Sequence, residues 1–125
     1  ARTISFASEA GDVREVPYDH LVAAPGSVSR TAPVPGLREA AVGFKTVAEA
    51  IHLRNRALKQ LELANVTDDP EERAARLTFV FVGGGYAGVE ALAEIEDMVQ
   101  DAKRLYPRLE GDRVRFVLIE ATETI

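Results

Sequence analysis

Three stretches in the second half of the chain carry apolar residues in different rhythms, and each change of rhythm marks a change of element. LTFVFV (77–82) is almost unbroken in apolar character, which predicts a central parallel strand covered on both faces. From about residue 86 to 105 the spacing becomes helical, with Val89, Leu92, Ile95, Val99 and Ala102 on one side and Pro107 just past the end. Glu90, Glu94, Glu96 and Asp97 come early in this helix and Lys103 and Arg104 late, which complements its dipole. After the turn EGD, VRFVLIE (114–120) returns to a strand pattern. Strand, helix and strand in this order predict a right-handed βαβ unit.

Upstream, TVAE forms a capping box around Thr46 and Glu49, and it opens a helix expected to run to about residue 65. Val47, Ala50, Ile51, Ala57, Leu58, Leu61 and Ala64 fall on one face of that helix. TDDPEER offers a second start, with Asp69 as cap, Pro70 in the first turn and Glu72 completing another box. Nearer the start of the chain, TISFAS and VREVPYD flank a turn containing Gly11 and Asp12, which predicts a β-hairpin. HLVAA (20–24) has the character of a buried strand that ends at Pro25-Gly26. PGSVSRTAPVPGLREAAVGF is rich in proline and glycine and is expected to be an ordered connector. Ala1 leads straight into RTISFA, and VLIEATETI stops just after a strand pattern, so both ends read as cuts in a longer protein.

The glycine cluster in FVFVGGGYAGVEALAEI carries the chemistry. Gly83, Gly85 and Gly88 satisfy G-x-G-x-x-G between a strand and a helix. The first glycine permits the turn out of the strand, the second lets backbone approach a pyrophosphate, and the third lets helix pack closely on strand. A diphosphate then sits at the helix N-terminus, where unpaired N–H groups and the positive end of the dipole await an anion. Glu120, at the end of the second strand, is placed to accept from the hydroxyls of an adenosine ribose, which favours NAD and repels a 2′-phosphate. Thirty-two positions separate Gly88 from Glu120, against about 20 in the usual fingerprint; the long helix and the loop YPRLEGD account for the excess. Two rival readings stay open, a glycine turn without chemical role and a methyltransferase. The latter usually places an acid just before the glycines, where this chain has Val80, Phe81 and Val82.

Composition narrows the class without choosing a reaction. The chain has 125 residues, 46% hydrophobic and 28% charged, which suits a globular domain or a piece of one and is too apolar for disorder. A net charge of −5 with scattered bases argues against a nucleic-acid partner. Without cysteine, this stretch has no disulfide, thiolate metal site or redox-active CxxC of its own. No apolar run reaches the roughly 18–20 residues needed to span a bilayer, and no signal peptide opens the chain. His20 and His52 have no metal-ligand partners at useful spacing, so no metal site is expected.

FVFVGGGYAGVEALAEIEDM resembles the second, NADH-binding Rossmann motif of two-dinucleotide-binding-domain flavoproteins, the pyridine nucleotide-disulfide oxidoreductases. Its GGG-x-x-GVE frame is most similar to that of type II, non-proton-pumping NADH dehydrogenases. VPYDHLVAAPGS resembles the late strand of the FAD domain, with its turn beside the flavin, and PVPGLREAAVGFKTVAEAIHLRNR resembles the connector and helix leading to the NADH domain. The resemblance covers nearly all the chain in the right order. It implies an α/β fold in which residues 1–45 are part of an FAD domain and its connector, 46–76 are interdomain helices, and 77–125 are the N-terminal βαβ part of an NADH domain.

The same resemblance implies non-covalent FAD, hydride transfer from NADH to flavin, and a quinone or other small acceptor. It places the protein in the cytoplasm, attached peripherally to the inner face of the cell membrane through regions outside this segment. Gly83, Gly84, Gly85, Tyr86, Ala87, Gly88 and Glu120 would serve NADH, and Ala24, Pro25 and Gly26 would lie on the flavin side. Pro25 stands where threonine or leucine is commoner. Tyr86 replaces a proline or small residue, to pack on the dinucleotide or to cover the helix start. Glu90 matches a position near nicotinamide and flavin; from the residues alone it is equally a solvated acid on the first helical turn. A dinucleotide-sensing module without catalysis and a disulfide-reductase sibling remain alternatives. A core of two parallel strands leaves open edges, so the isolated fragment is expected to self-associate.

Overall fold

The computed structural model describes residues 2–28 and 32–122. They divide into two units, Ala1–Arg30 and Thr31–Ile125, each taken by itself below. Among the described residues the elements are mixed α/β with two small sheets, consistent with a Rossmann-like dinucleotide-binding fragment.

In the first unit, β1 (Thr3–Ala7) pairs antiparallel with β2 (Val13–Pro17) in the register Thr3↔Pro17 to Ala7↔Val13. Gly11 takes φ 88° in the connecting turn, a conformation open to glycine without a Cβ clash. The predicted strand at 20–24 is not formed. That segment is irregular and exposed, with Val22 85% accessible; a strand exists only through ladder bonds to a neighbour, and β1 and β2 pair only with each other.

The second unit begins with a single helical turn, α1 (Leu37–Ala40), inside the predicted connector. α2 (Val47–Val66) opens on the expected box. The Thr46 hydroxyl accepts from the Glu49 N–H at 3.2 Å, and the Glu49 carboxylate accepts from the Thr46 N–H at 2.8 Å. Donation to its carboxylate from the Thr46 N–H and hydroxyl, and from the Lys45 N–H, holds Glu49 below the ordinary glutamate range, Thr46 contributing most.

α3 (Pro70–Arg76) starts at Asp69 as expected, but without a second box. Asp69 accepts from Glu71 N–H at 2.9 Å, while its own N–H donates to the Thr67 hydroxyl at 3.3 Å. Glu72, predicted to reach back to the cap, instead takes the Arg76 guanidinium and the Thr67 hydroxyl. A full positive charge one turn on outcompetes a neutral amide already satisfied elsewhere.

β3 (Thr78–Val82) and β4 (Arg115–Ile119) pair in parallel, Thr78↔Arg115 to Val82↔Ile119, with α4 (Tyr86–Lys103) between them in sequence. The ladder extends one bond beyond each end, through Arg115 N–H to Leu77 C=O at 2.9 Å and Gly83 N–H to Ile119 C=O at 2.8 Å. α4 stops short of residue 105 because its last amides bond three residues back, Leu105 to Ala102 and Tyr106 to Lys103. This tightening leads into the 3-10 turn Pro107–Leu109 and buries Leu109.

The core gathers Ala57, Leu61 and Ala64 from α2, Leu77 before β3, Ile95 and Val99 from α4, and Leu109 and Val114 beyond it. Phe79, Phe81 and Phe116 pack against it from the sheet. Only the later part of the predicted α2 face is covered: Val47 and Ile51 remain exposed because the core begins at Leu53. Val89, predicted on the buried side of α4, is 40% accessible. Coverage of both faces of β3 is also not observed. Side chains alternate along a strand, so Phe79 and Phe81 turn inward while Val80 and Val82, with Ile119 beside them, stay half exposed. Polar ties fasten the start of α3 to the loop before β4: Arg73 donates to Thr67 C=O at 2.6 Å and pairs with Asp112 at 3.7 Å, and Arg108 pairs with Asp68.

Candidate functional site

The glycine turn lies where β3 hands over to α4, and each of its glycines answers a different physical demand. Gly83 has φ 107°, which an L side chain rarely adopts. Gly88 faces the turn it helped to make: a Cβ there would collide with the Gly83 carbonyl oxygen. Gly85 is different. Its φ of −68° suits any residue, and a Cβ built on it meets nothing within 4 Å. Nothing inside the fold requires glycine at 85, so the space over it is available to an approaching molecule.

Gly85 is also the N-cap of α4, with no side-chain cap. Its carbonyl accepts from Gly88 and Val89 at 2.9 and 3.1 Å. Among the described residues, the N–H groups of Gly85, Tyr86 and Ala87 find no acceptor, as expected for the opening of an uncapped helix. The first turn carries no acid, so the positive end of the dipole is left for an external charge. Tyr86 does not cover this end; its side chain is 94% accessible. Glu90, predicted near the reacting groups, is exposed one turn further along α4 and makes no hydrogen bond or ion pair with described residues.

Glu120 follows β4 directly and stands against the turn. Its Oε2 accepts from the Gly84 N–H, and its Oε1 accepts from Ala121 N–H at 2.6 Å and Thr122 N–H at 3.3 Å. Backbone donors, Gly84 foremost, hold its carboxyl below the ordinary glutamate range. The sequence placed Glu120 at the strand end; it gave no sign that the carboxylate grips the turn itself, because that contact joins residues 36 apart.

Ala24, Pro25 and Gly26 belong to the other unit. They are exposed, and Gly26 has φ 73° with open space where a Cβ would stand. Among the described residues no cluster of His, Cys, Asp or Glu is arranged to hold a metal ion, and no helix is long and apolar enough to cross a membrane.

The paired parallel strands, the glycine turn open at its middle residue and the carboxylate beside it make a mixed α/β fragment consistent with a Rossmann-like dinucleotide-binding fold. The chain belongs to the pyridine nucleotide-disulphide oxidoreductase family, whose family model matches residues 1–125. It is 42% identical over 112 residues to the external alternative NAD(P)H-ubiquinone oxidoreductase B2 of Arabidopsis thaliana mitochondria, which covers 88% of this chain and 19% of that protein. It is 34% identical over 113 residues to the external alternative NADH-ubiquinone oxidoreductase of Yarrowia lipolytica mitochondria, covering 90% and 19%. It is 32% identical over 116 residues to the type II NADH:quinone oxidoreductase Ndh of Mycobacterium tuberculosis, covering 92% and 25%. The chain thus spans about a fifth to a quarter of the length of these relatives.

Proposed function

We propose that this chain is the NADH-receiving part of an FAD-dependent NADH:quinone oxidoreductase of type II. The observation that carries the proposal is the open position over Gly85, ringed by unpaired N–H groups at the start of α4 and flanked by Glu120. The family and the named activities of the relatives support it.

The described residues fit a dinucleotide. The amides of Gly85, Tyr86 and Ala87 receive a diphosphate, and the missing Cβ at Gly85 lets the backbone come within hydrogen-bond distance of it. A residual lone pair on the Glu120 carboxylate accepts from a ribose hydroxyl, and its charge disfavours a 2′-phosphate. The exposed Tyr86 ring is free to lie against the bound coenzyme, and Glu90 orients the nicotinamide end. FAD, when bound, would supply the redox chemistry: it would take a hydride from NADH and give up two electrons to a quinone, with the protons exchanged with solvent.

For FAD, the described residues offer the Ala24–Gly26 turn alone, where open space at Gly26 admits the cofactor's approach; the remaining contacts lie in the rest of the protein. Residues 1–45, 46–76 and 77–125 correspond in this reading to FAD-domain, interdomain and NADH-domain portions. Quinones dissolve in lipid, so the reading includes peripheral attachment to the inner face of the cell membrane.

The test uses the full-length protein. Binding of NADH and NADPH is measured by titration, together with anaerobic bleaching of the flavin absorbance by each. NADH is expected to bind at least ten times more tightly than NADPH, and Glu120→Ala to narrow that ratio. Equal affinities in the unaltered protein would remove the role of Glu120, and no bleaching by either coenzyme would remove the activity.

A further inference from the structure

The motif G-x-G-x-x-G leaves position 84 free, yet this chain has glycine there. Backbone conformation does not demand it: unlike Gly83, Gly84 does not take a positive φ. The Glu120 side chain does: a Cβ on Gly84 would stand 2.9 Å from Glu120 Oε2 and 3.4 Å from both Cβ and Cγ of the same side chain, so an alanine there would push the carboxylate off the turn. Gly84 is buried under that side chain, and its N–H donates to the carboxylate.

We infer that Glu120 is a positioning residue for the glycine turn: with no nucleotide present it holds Gly84 against the end of β4, and Gly84 is glycine to admit it. The inference deepens the dinucleotide reading of the same site. Three backbone donors fix the carboxylate, two from the residues that follow it and one from the turn across the sheet. The side chain therefore ties two segments that the β3–β4 ladder brings together but does not itself join, since the last ladder bond ends at Gly83. The turn is aligned before the diphosphate arrives, which removes part of the ordering cost of binding. A ribose hydroxyl that reaches Oε2 shares it with Gly84, so the two halves of the dinucleotide site meet on one carboxylate.

The test is amide hydrogen exchange in the ligand-free full-length protein, resolved at residues 83 and 84 by fragmentation mass spectrometry and corrected for intrinsic rates. Glu120→Ala and Gly84→Ala are each expected to speed exchange at residue 84 at least tenfold, and the double variant no further than either alone. Exchange at Gly83, held by Ile119, stays unchanged. Glu120→Gln keeps partial protection, because its amide oxygen still accepts from Gly84. Unchanged exchange at residue 84 in Glu120→Ala would overturn the inference; so would equal loss at 83 and 84, which reports only a loosened sheet end.

A second arm uses reduced nicotinamide mononucleotide, which lacks the adenosine ribose. Glu120→Ala is expected to weaken its binding at least threefold, and unchanged affinity would confine Glu120 to the sugar. If NADH fails to slow exchange at Tyr86 and Ala87 in the unaltered protein, the dinucleotide reading falls while the exchange result at Gly84 still decides the tie.

Discussion

Phe79 of β3 and Phe116 of β4 stack with ring centroids 5.4 Å apart and planes 13° from parallel, at positions paired directly across the ladder. This pair pins the register that brings the Glu120 carboxylate within reach of the Gly84 N–H. A slip of one residue would reverse every side chain of the strand between its faces. Phe116→Ala is expected to cost about 2–4 kcal/mol, less than for a wholly buried phenylalanine because the ring is only partly covered. Urea unfolding of the full-length protein, followed by a probe in this domain, measures it.

Gly85 and Gly88 should part company when each is changed to alanine. Gly88→Ala sets a Cβ against the Gly83 carbonyl and is expected to destabilise by about 2–3 kcal/mol. Gly85→Ala meets open space at an ordinary φ, so stability should hold or rise by about 0.4–1 kcal/mol. Its NADH affinity should nevertheless fall at least tenfold. Thermal unfolding paired with NADH titration separates the two effects, and unaltered affinity in Gly85→Ala would contradict the proposed site.

Thr46→Ala removes the hydroxyl that caps α2 and is expected to cost about 1 kcal/mol, a typical N-cap loss. Thr46→Ser should restore most of it. Both are read by denaturant midpoint.

Acid should loosen the fold through specific carboxylates. Glu49, Glu72 and Glu120 all titrate below the ordinary glutamate range, through bonds from Thr46, Arg76 and Gly84 respectively. A depressed folded-state pKa gives stabilisation that is complete above the unfolded value, about 4.3. It is lost as pH falls through the lower folded values. Stability measured from pH 6 downward should therefore fall in the acid range, and Glu49→Gln or Glu120→Gln should flatten the slope. A slope unaffected by both would exclude Glu49 and Glu120.

The half-exposed Val80, Val82 and Ile119 lead to a prediction about the isolated 125-residue chain. It is expected to self-associate at micromolar concentration, as an unpartnered apolar sheet face with open edges does. Sedimentation velocity that finds only a cooperatively folded monomer would contradict this.

What the sequence revealed follows the range of the interactions. The hairpin around Gly11, the Thr46–Glu49 box and the helix starting after Gly85 rest on contacts a few residues long, and all are present. The misreadings come from competition. Glu72 had the right spacing for a box, but Arg76 and Thr67 reached it first. HLVAA had strand composition but no ladder partner among the described residues, and FVFV could not tell how many of its faces would be covered. At the site, the motif was legible in Gly83, Gly85 and Gly88. The reason for Gly84 was not, since it depends on where residue 120 comes to rest.

A rule that counts residues from the glycines to the acid finds this chain too long by about a dozen. The paired strands do not count that way: bonds at Leu77 and Gly83 clamp both ends of β3 to β4, whatever length of chain loops out between them. A short insertion at the exposed Glu110–Gly111 turn, beyond the buried Leu109, should leave the acid standing over its amide, and that turn is accordingly the place to graft a tag or a reporter.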